Sequence, residues 1–586
     1  MLDSITLIHK LTSNIYKNKF LFLIILLVIS AFIELLGVGI LVPVVDLISD
    51  PKNLNDYPFL QDYLSGNENV IFLIVVLLVA IYAFKNLYLF LLSYYQSKLL
   101  ANIQHTISTT LFDVIIRANY LDLTHQNKAD IINTMSAELN ALIGGYITPL
   151  LGLASELIVV SLMISVLLWY NFEVALVVLL FSVSISMLIL FLLKSKLLAW
   201  GTKRQENSKC MIGVVDDFVG GVKEVKVYQK EAYILEKHSL FVKNFVTANR
   251  NIIIANSIPR FALEMVAVLS LLIVVILVYD EESVENILPI IVLYSAVAFR
   301  LMPGFNKIVT NINRLKYNYP CIQKVEQLFS QLKNENSSSN STQCECNGYD
   351  IKIDNVTFSH NGVDKVLDGV SLEINENEKI GVIGGSGSGK TTLINMILGL
   401  ISPSKGEVTI GDCNARNVPV NTFSYVPQEV FISDATIKEN LVFDNCPIDI
   451  DDLAIKKSLQ QAGLGDFISS IRGGIDARLG NAGAKISGGQ KQRIGIARSL
   501  YHHSKIVVLD EATSALDFET EYEVVQSIYK SLTNRTVILV AHRISTLKDC
   551  DKVILLKDGN IVASGTYQYM TTENEEVRQL VKHGVI

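Results

Sequence analysis

The residues most capable of chemistry form a glycine-rich stretch in the second half of the chain. It comprises Gly384, Gly385, Ser386, Gly387, Ser388, Gly389, Lys390, Thr391 and Thr392. An apolar run at 380–383 precedes the stretch and a helical pattern follows it, which is the order of strand, turn and helix in a phosphate-binding loop. The glycines let backbone N–H groups turn toward phosphate oxygens, while Lys390 can reach the terminal phosphates and the Thr391 hydroxyl can ligate Mg²⁺. The stretch therefore predicts a site for ATP with Mg²⁺.

Three further strands are predicted to end in polar residues that suit the same site. An apolar run leads into Asp510 and Glu511. Beside a phosphate loop, the first carboxylate can hold Mg²⁺ through water and the second can polarise the attacking water. Gln428 could sense the metal and the water, and His542 could contact the γ phosphate. Either of these two residues alone would more often be an ordinary polar residue at the end of a strand.

A second anion-seeking element opens another helical pattern. Ser487, Gly488, Gly489 and Gln490 stand at its start, where free N–H groups and the helix dipole favour a phosphate. Two such elements in one chain make sense if two copies of the domain enclose ATP between them.

The rest of the chain combines a membrane part with a part of soluble type. Of its 586 residues, 50% are hydrophobic and 18% are charged, and the mean hydropathy is +0.37. The apolar excess lies before about residue 305, and the remainder has the composition of an α/β domain. A net charge of −7 gives no footprint for nucleic-acid binding, so we expect no nucleic-acid partner.

Six apolar segments are long enough to cross a bilayer, which takes about 20 residues. They run from 20 to about 48, 70 to about 95, 146 to 170, 172 to about 193, 252 to 279, and 287 to about 309. Lysine and arginine concentrate in the connections 96–145 and 194–251, which places both termini and the ATP site in the cytoplasm. Residues 57–64, on the outer side, could form a short interfacial helix or a solvated loop.

Ionisable residues within these spans are candidates for function because lipid disfavours charge. The cations are Lys85, Arg260, Arg300 and Lys307, and the acids are Glu34, Glu156 and Glu264. Cations facing a shared cavity would favour an anion, and guanidinium groups suit phosphate. Arg260 and Glu264 stand four residues apart on one helix face, so a structural ion pair between them is the alternative.

The polar run before the soluble part predicts a linker. We therefore expect a membrane domain of six helices at 1–330, a linker at 331–349 and an α/β nucleotide-binding domain at 350–586. The seven cysteines show no metal-type spacing, and Cys344 and Cys346 lack a second pair that would complete a zinc site. Reduced thiols are expected in the cytosol.

Together, the glycine loop, Gln428, the run ISGGQ, the run VVLDEATSALD and His542 resemble the nucleotide-binding domain of ABC transporters. The six preceding spans are similar to the exporter arrangement, so the resemblance covers nearly the whole chain. It implies an all-α transmembrane domain followed by a P-loop ATPase domain, and an ATP hydrolase coupled to transport. It also implies a homodimer in which Ser487, Gly488 and Gln490 of one subunit close over ATP held by Lys390 of the other. Where exporters usually stack a tyrosine on adenine, this chain has His360.

More narrowly, short stretches of the membrane half resemble bacterial flippases of lipid-linked oligosaccharides that serve protein N-glycosylation. Those stretches lie around Glu34, Arg260 and Arg300. This likeness implies a multi-pass protein of the inner membrane whose Lys85, Arg260 and Arg300 meet a pyrophosphate group. Lys85 departs from the arginine of that family and loses bidentate geometry while keeping its charge.

The resulting hypothesis is a flippase that moves a polyprenyl-pyrophosphate glycan by alternating access. Export of another lipid, a drug or a different amphiphile is the first alternative. An ATP-gated channel or regulator is a second, disfavoured by the complete hydrolytic set of Asp510, Glu511 and His542.

Overall fold

The computed structural model describes residues 15–39, 70–170, 172–279, 284–332, 346–360, 362, 364–443, 451–480, 483–512, 518–541 and 543–582. The chain divides into two compact units, Met1–Glu335 and Asn336–Ile586. The division falls within the residues 331–349 that composition predicts as a linker.

The described residues of the first unit form helices joined by short turns. Its α-helices are α1 (Lys17–Gly39), α2 (Val70–Arg117), α3 (Tyr120–Thr124), α4 (Lys128–Asn133), α5 (Thr148–Tyr170), α6 (Phe172–Gly220), α7 (Val222–Val227), α8 (Glu231–Tyr279) and α9 (Val284–Leu332). Two π-helical segments, Thr134–Glu138 and Ala141–Ile147, join α4 to α5. Four of the helices exceed 45 residues, so they extend well beyond the roughly 30 Å thickness of a bilayer core.

Five helical stretches in the described part of this unit are long and apolar enough to cross a membrane. They coincide with the first five predicted spans, although the helices run on past them, as α2 does to Arg117. The sixth predicted span falls in α9, where the side chains before Leu301 lie outside the described residues. Residues 57–64 also lie outside them. Helix α9 continues to Leu332, two positions past the predicted end of the membrane domain.

A buried polar cluster holds α6 against the first π-helical segment. Glu138 is fully buried, and its carboxylate accepts a 2.9 Å hydrogen bond from Nη2 of Arg204 on α6. Asn133 donates its side-chain amide to the same carboxylate at 3.2 Å, and Ser208 donates to Asn133 at 2.7 Å. An isolated buried charge is costly, so the two charges must be paired and hydrogen-bonded as they are here. The cluster therefore fixes the register of α6 against this corner.

The second unit contains two sheets and the helices that pack on them. Its strands are β1 (Ile351–Ser359), β2 (Lys365–Ile374), β3 (Lys379–Ile383), β4 (Lys405–Ile410), β5 (Cys413–Asn414), β6 (Phe423–Val426), β7 (Ile506–Asp510), β8 (Thr536–Val540), β9 (Lys552–Lys557) and β10 (Asn560–Gly565). Its helices are α10 (Lys390–Ile397), α11 (Ile437–Val442), α12 (Asp452–Gln461), α13 (Gly465–Ser470), α14 (Gly488–Tyr501), α15 (Phe518–Ser531), α16 (Tyr567–Thr572) and α17 (Glu575–Lys582).

The larger sheet positions the chemistry. Its order is β10-β9-β3-β8-β7-β6, and β3, β6, β7, β8 and β9 run parallel. Strands β7 and β8 are buried at every residue, as expected for parallel strands covered on both faces. Because parallel strands end at the same sheet edge, the residues that follow β3, β6, β7 and β8 meet there. Among the described residues, the polar groups at this edge are the glycine loop, Gln428 and Glu511.

The smaller sheet is antiparallel, with the order β2-β1-β4-β5. It brings Cys346, just before β1, to Cys413 on β5, and the two form a disulfide with Cα atoms 5.7 Å apart. The expectation of reduced thiols is wrong for this pair. Sequence spacing could not reveal the partnership, because 67 residues separate the two cysteines and only sheet pairing joins them.

Candidate functional site

The glycine loop connects β3 to α10 as the sequence predicts. Its last glycine, Gly389, is the residue before α10 and has φ of 101°, and Gly387 has φ of 78°. Both values favour glycine, because L side chains rarely adopt them. A Cβ on Gly384 would lie 2.2 Å from the Leu556 carbonyl oxygen, so the loop also packs too closely for a side chain at that position.

Lys390 is the first residue of α10, and its ammonium group folds back over the loop. The Nζ atom donates to the carbonyl oxygens of Gly384 at 2.8 Å and Gly385 at 2.9 Å. Burial lowers the pKa of Lys390, and the nearby carboxylates of Glu511 and Asp510 act against that shift. The lysine and the two acids therefore share one site. The next two residues of the same turn differ in burial: Thr391 is exposed and Thr392 is buried.

The two acids lie at the end of β7 with different surroundings. Asp510 is 7% exposed and accepts a 3.2 Å hydrogen bond from the Tyr425 hydroxyl. Glu511 has φ of 50°, in the left-handed region, and its N–H donates to the Val540 carbonyl at 3.0 Å. Such a conformation costs about 1–3 kcal/mol in a residue with a side chain and concentrates at functional sites.

Gln428 and Glu511 are in direct contact. The Gln428 Nε2 donates to Glu511 Oε2 at 2.6 Å, so the side-chain amide oxygen stays free to face a metal or water. Thr391, Gln428 and Asp510 together offer a hydroxyl, an amide oxygen and a carboxylate. These are the hard oxygen donors that Mg²⁺ prefers, so the residues present fit the ion. His542 lies outside the described residues.

The second anion-seeking element is the start of α14. Ser487 is the N-cap, and its hydroxyl accepts from the Gln490 N–H at 3.2 Å while its own N–H donates to Gln490 Oε1 at 2.8 Å. This reciprocal arrangement is a capping box, which stabilises a helix start. Gly488 and Gly489 form the first turn, where N–H groups lack helical partners. The predicted serine and glutamine thus have a structural role in addition to any ligand contact.

His360 follows β1 at an exposed position and packs edge-on against Phe358, with ring centroids 4.9 Å apart. The imidazole is therefore held at the sheet end and is accessible to a flat base.

The predicted membrane cations differ in their partners. Lys85 on α2 places Nζ 5.0 Å from the centre of the Tyr82 ring. Arg260 on α8 is 68% exposed at its side chain and donates from Nε to Glu264 at 3.1 Å, which realises the alternative of an intrahelical ion pair. Lys307 on α9 donates to Glu156 on α5 at 2.6 Å. The side chain of Arg300 lies outside the described residues.

Sequence reasoning missed Tyr425 and the cluster of Glu138 and Arg204. Tyr425 stands three residues before Gln428 on β6, where Ser424 also carries a hydroxyl, so the sequence did not single it out. Glu138 and Arg204 carried no signal at all, because 66 residues separate them and each resembles a solvated charge in the sequence.

Each of the two structural units matches a known protein family. A family model described as "ABC transporter transmembrane region" matches residues 20–301, and one described as "ABC transporter" matches residues 367–514. The multidrug resistance protein sirA of Leptosphaeria maculans is 32% identical over 280 residues, which are 47% of this chain and 22% of that protein. The chain thus aligns with only about a fifth of that relative's length.

A longer alignment exists with an ATP-dependent lipid A-core flippase of Burkholderia orbicola (strain AU 1054). It is 25% identical over 513 residues, which are 84% of this chain and 81% of the flippase. The structure of a bacterial Atm1-family ABC exporter with ATP bound matches with a TM-score of 0.80 and 18% identity, over 98% of this chain and 99% of that chain. At that identity the match concerns the fold. The two family models together cover most of the chain, which belongs to the ABC transporter family as a half-transporter with an exporter-type membrane domain fused to an ATPase domain.

Proposed function

We propose that the chain is one subunit of a homodimeric, ATP-driven flippase of the bacterial inner membrane, with both termini and the ATPase domain in the cytoplasm. Its cargo is a lipid-linked oligosaccharide in which pyrophosphate joins the glycan to a polyprenyl lipid. Movement of the cargo follows alternating access, in which nucleotide shifts the population between two conformations of the membrane helices.

The proposed ATPase step relies on the glycine loop and on residues that follow the neighbouring parallel strands. Lys390 and the loop N–H groups hold the phosphates, and Glu511 polarises the attacking water. Gln428 keeps the Glu511 carboxylate oriented through their 2.6 Å hydrogen bond. When bound, Mg²⁺ would be held by Thr391, Gln428 and Asp510 and would offset phosphate charge. We assign the γ-phosphate contact to His542.

A homodimer would complete each ATP site. One chain carries a single glycine loop and a single α14 start, so two copies provide two of each. In the dimer, Ser487, Gly488 and Gln490 of one subunit would close over ATP held by Lys390 of the other. Sedimentation of the purified chain should therefore give a dimer, and ATP should tighten it when turnover is blocked by Glu511→Gln. A monomer under both conditions would contradict this part.

The cargo proposal rests on the accessible guanidinium of Arg260. With a helical rise of 1.5 Å per residue, Arg260 stands about 12 Å beyond residue 252, where its predicted span begins. Lys85 stands about 15 Å before residue 95, where its span ends, and Arg300 about 14 Å before residue 309. All three spans are predicted to meet the cytoplasm at those ends. The three cations thus share one depth, near the middle of a bilayer core of about 30 Å.

The Arg260 ion pair leaves room for this role. The side chains of Arg260 and Glu264 are 68% and 44% exposed, so the protein does not enclose this pair. A pyrophosphate offers two charged groups and bidentate geometry, so it can displace Glu264 from Arg260. The ion pair of Lys307 is harder to displace, because the side chain of its partner Glu156 is 8% exposed and a buried carboxylate resists losing its cation.

Export of another lipid or amphiphile is the second candidate. The pairing of Arg260 with Glu264 favours it, since a site neutralised in this way also admits an uncharged cargo. The curated relative aligned over 81% of its length is named a lipid A-core flippase, which also fits lipid cargo more broadly.

Removal of one charge on α8 and, separately, of one on α9 distinguishes the two candidates. Arg260→Gln and Arg300→Gln should each slow ATP-dependent flipping of a polyprenyl-pyrophosphate oligosaccharide in proteoliposomes by tenfold or more. The matched control is Arg250→Gln, because Arg250 is an exposed arginine of α8 before the predicted span and its hydrogen bonds go to Asn251. Normal flipping in both the Arg260 and Arg300 variants would refute the pyrophosphate site and favour the second candidate.

A further inference from the structure

A cluster of soft and hard donors lies at the smaller sheet of the ATPase domain, which is not the sheet that carries the glycine loop. It consists of Cys346, Asp412 and Cys413, whose sulfur and carboxylate oxygen atoms lie within 4.8 Å of one another. Cys346 precedes β1, Asp412 lies in the tight turn between β4 and β5, and Cys413 is the first residue of β5. We propose that, with its disulfide reduced, this cluster is a binding site for a thiophilic divalent cation of the Zn²⁺ class.

The backbone brings the two segments together without help from the disulfide. The Gly411 N–H donates to the Asp350 carbonyl at 2.8 Å. Gly411 has φ of 55°, and a Cβ there would lie 2.5 Å from the Gly348 carbonyl oxygen. Strand β1 also pairs with β4 from Ile351 onward. Opening the sulfur–sulfur bond therefore leaves the three donor side chains next to one another.

Asp412 is held in place by an outer shell of the kind that metal ligands use. Its Oδ1 accepts from the Asn347 N–H at 2.9 Å, and its Oδ2 accepts from the Asn347 side-chain amide at 3.0 Å. Each carboxylate oxygen keeps a further lone pair. Hydrogen bonds of this kind orient ligands and support their affinity for metal.

The donor set suits zinc in number and type. Two thiolates and one carboxylate are common zinc ligands, with metal–ligand distances of about 2.3 Å to sulfur and about 2.0–2.2 Å to oxygen, and a water can complete a tetrahedron. Around one ion, neighbouring ligands then stand about 3.3–3.8 Å apart. The spread of the cluster and the 5.7 Å Cα separation of the two cysteines need only side-chain rotation to reach that geometry.

The chemistry balances with a cytosolic thiol as reductant. The proposed cytoplasmic place of the ATPase domain exposes the pair to low-molecular-weight thiols, which keep protein cysteines reduced. Two such thiols transfer two electrons and two protons to the Cys346–Cys413 bond, and they leave as one small-molecule disulfide. Binding of Zn²⁺ to the two cysteines then releases their two protons. This inference depends on the cytoplasmic orientation and is independent of the cargo.

The test is metal retention by the full-length protein in detergent. The protein is reduced with a phosphine, freed of reductant without oxygen, mixed with Zn²⁺ alone and passed through gel filtration before elemental analysis. Wild type should keep one Zn²⁺ per chain, as should Cys210→Ser, whose cysteine belongs to the membrane unit. Cys346→Ser and Cys413→Ser should lose the ion while still binding ATP, which shows that they are folded. Substitution with Co²⁺ should give a thiolate charge-transfer band in wild type that both variants lack.

Two further results bear on the ligand set. Asn347→Ala removes one of the two hydrogen bonds to Asp412, and should weaken Zn²⁺ affinity by about 10–100-fold. Wild type oxidised before the addition of metal should retain no ion. The proposal is wrong if reduced wild type keeps no zinc, or if the Cys346 and Cys413 variants keep as much as wild type. ATP hydrolysis without zinc would leave the proposed transport function intact in either case.

Discussion

Replacing Glu511 by glutamine separates the chemical role of this residue from its structural role. In the structure, the Glu511 Oε2 accepts a 2.6 Å hydrogen bond from Gln428, and the backbone at Glu511 is fixed by its bond to Val540. A glutamine has the same shape and keeps one oxygen that accepts from Gln428. It cannot take a proton from water, so the polarising function is lost.

The expected magnitudes of the two effects differ widely. Exchanging a charge-assisted hydrogen bond for a neutral one costs about 1 kcal/mol, which is about a fivefold change in an equilibrium. Because the Gln428 contact is exposed, the effect on ATP affinity should not exceed this. Loss of a general base lowers a rate by about 10²–10⁴-fold. Turnover should therefore fall at least about 20 times more than affinity does.

The assay measures ATP binding and steady-state phosphate release on the same preparation in lipid nanodiscs. Gln428→Ala is the companion variant, since it removes the orienting contact and leaves the carboxylate; it should lower turnover less than Glu511→Gln. Turnover of Glu511→Gln within tenfold of wild type would refute the assignment of Glu511. A loss of ATP binding equal to the loss of turnover would show that the residue supports the site's structure instead.

Three further predictions concern the ATPase domain. Gly389→Ala forces φ of 101° on a residue with a side chain and puts its Cβ 2.9 Å from the Val366 carbonyl oxygen, so strain and overpacking should cost about 2–6 kcal/mol of stability. Thermal unfolding without nucleotide should show this loss. The control Gly385→Ala should not show it, because no atom lies within 4 Å of a Cβ at that position. Burial lowers the pKa of Lys390, so ATP affinity should fall as the pH rises through a value below the ordinary lysine pKa of about 10.4. Lys390→Arg should remove that pH dependence, because guanidinium stays protonated. An unchanged pH dependence of ATP affinity in the variant would contradict the assignment. Reducing the disulfide that closes a 67-residue loop should destabilise the domain by about 4 kcal/mol, seen as a lower unfolding temperature, and Cys413→Ser should unfold at the same temperature with and without reductant.

Local pattern was enough to predict the elements that carry the ATP site. The strand before Gly384 and the helix after Lys390 follow from an apolar run, a glycine turn and a 3.6-residue period, all of which are local signals. Asp510 and Gln428 could be located for the same reason, since each polar side chain directly follows or ends an apolar run that has the length of a strand. Their meeting at one edge follows from parallel pairing.

Contacts between distant segments could not be predicted from the sequence. Nothing local distinguishes the Cys346–Cys413 pair from free thiols, or the buried Glu138 from a solvated acid. The left-handed backbone of Glu511 also carries no signal, because glutamate is not among the residues enriched in that conformation, which are glycine, asparagine, aspartate and histidine. For Arg260 and Glu264 the spacing allowed both an ion pair and a free cation, and side-chain geometry was needed to choose the pair.

The most direct test of the transport proposal is reconstitution of the purified chain in liposomes with a polyprenyl-pyrophosphate oligosaccharide. Glycan exposure on the far leaflet is followed with ATP, without ATP and in the Glu511→Gln variant. The proposal predicts that the wild-type chain translocates the lipid when ATP is present. It predicts no translocation without ATP or in the Glu511→Gln variant. Vigorous ATP hydrolysis with no movement of this lipid would contradict it.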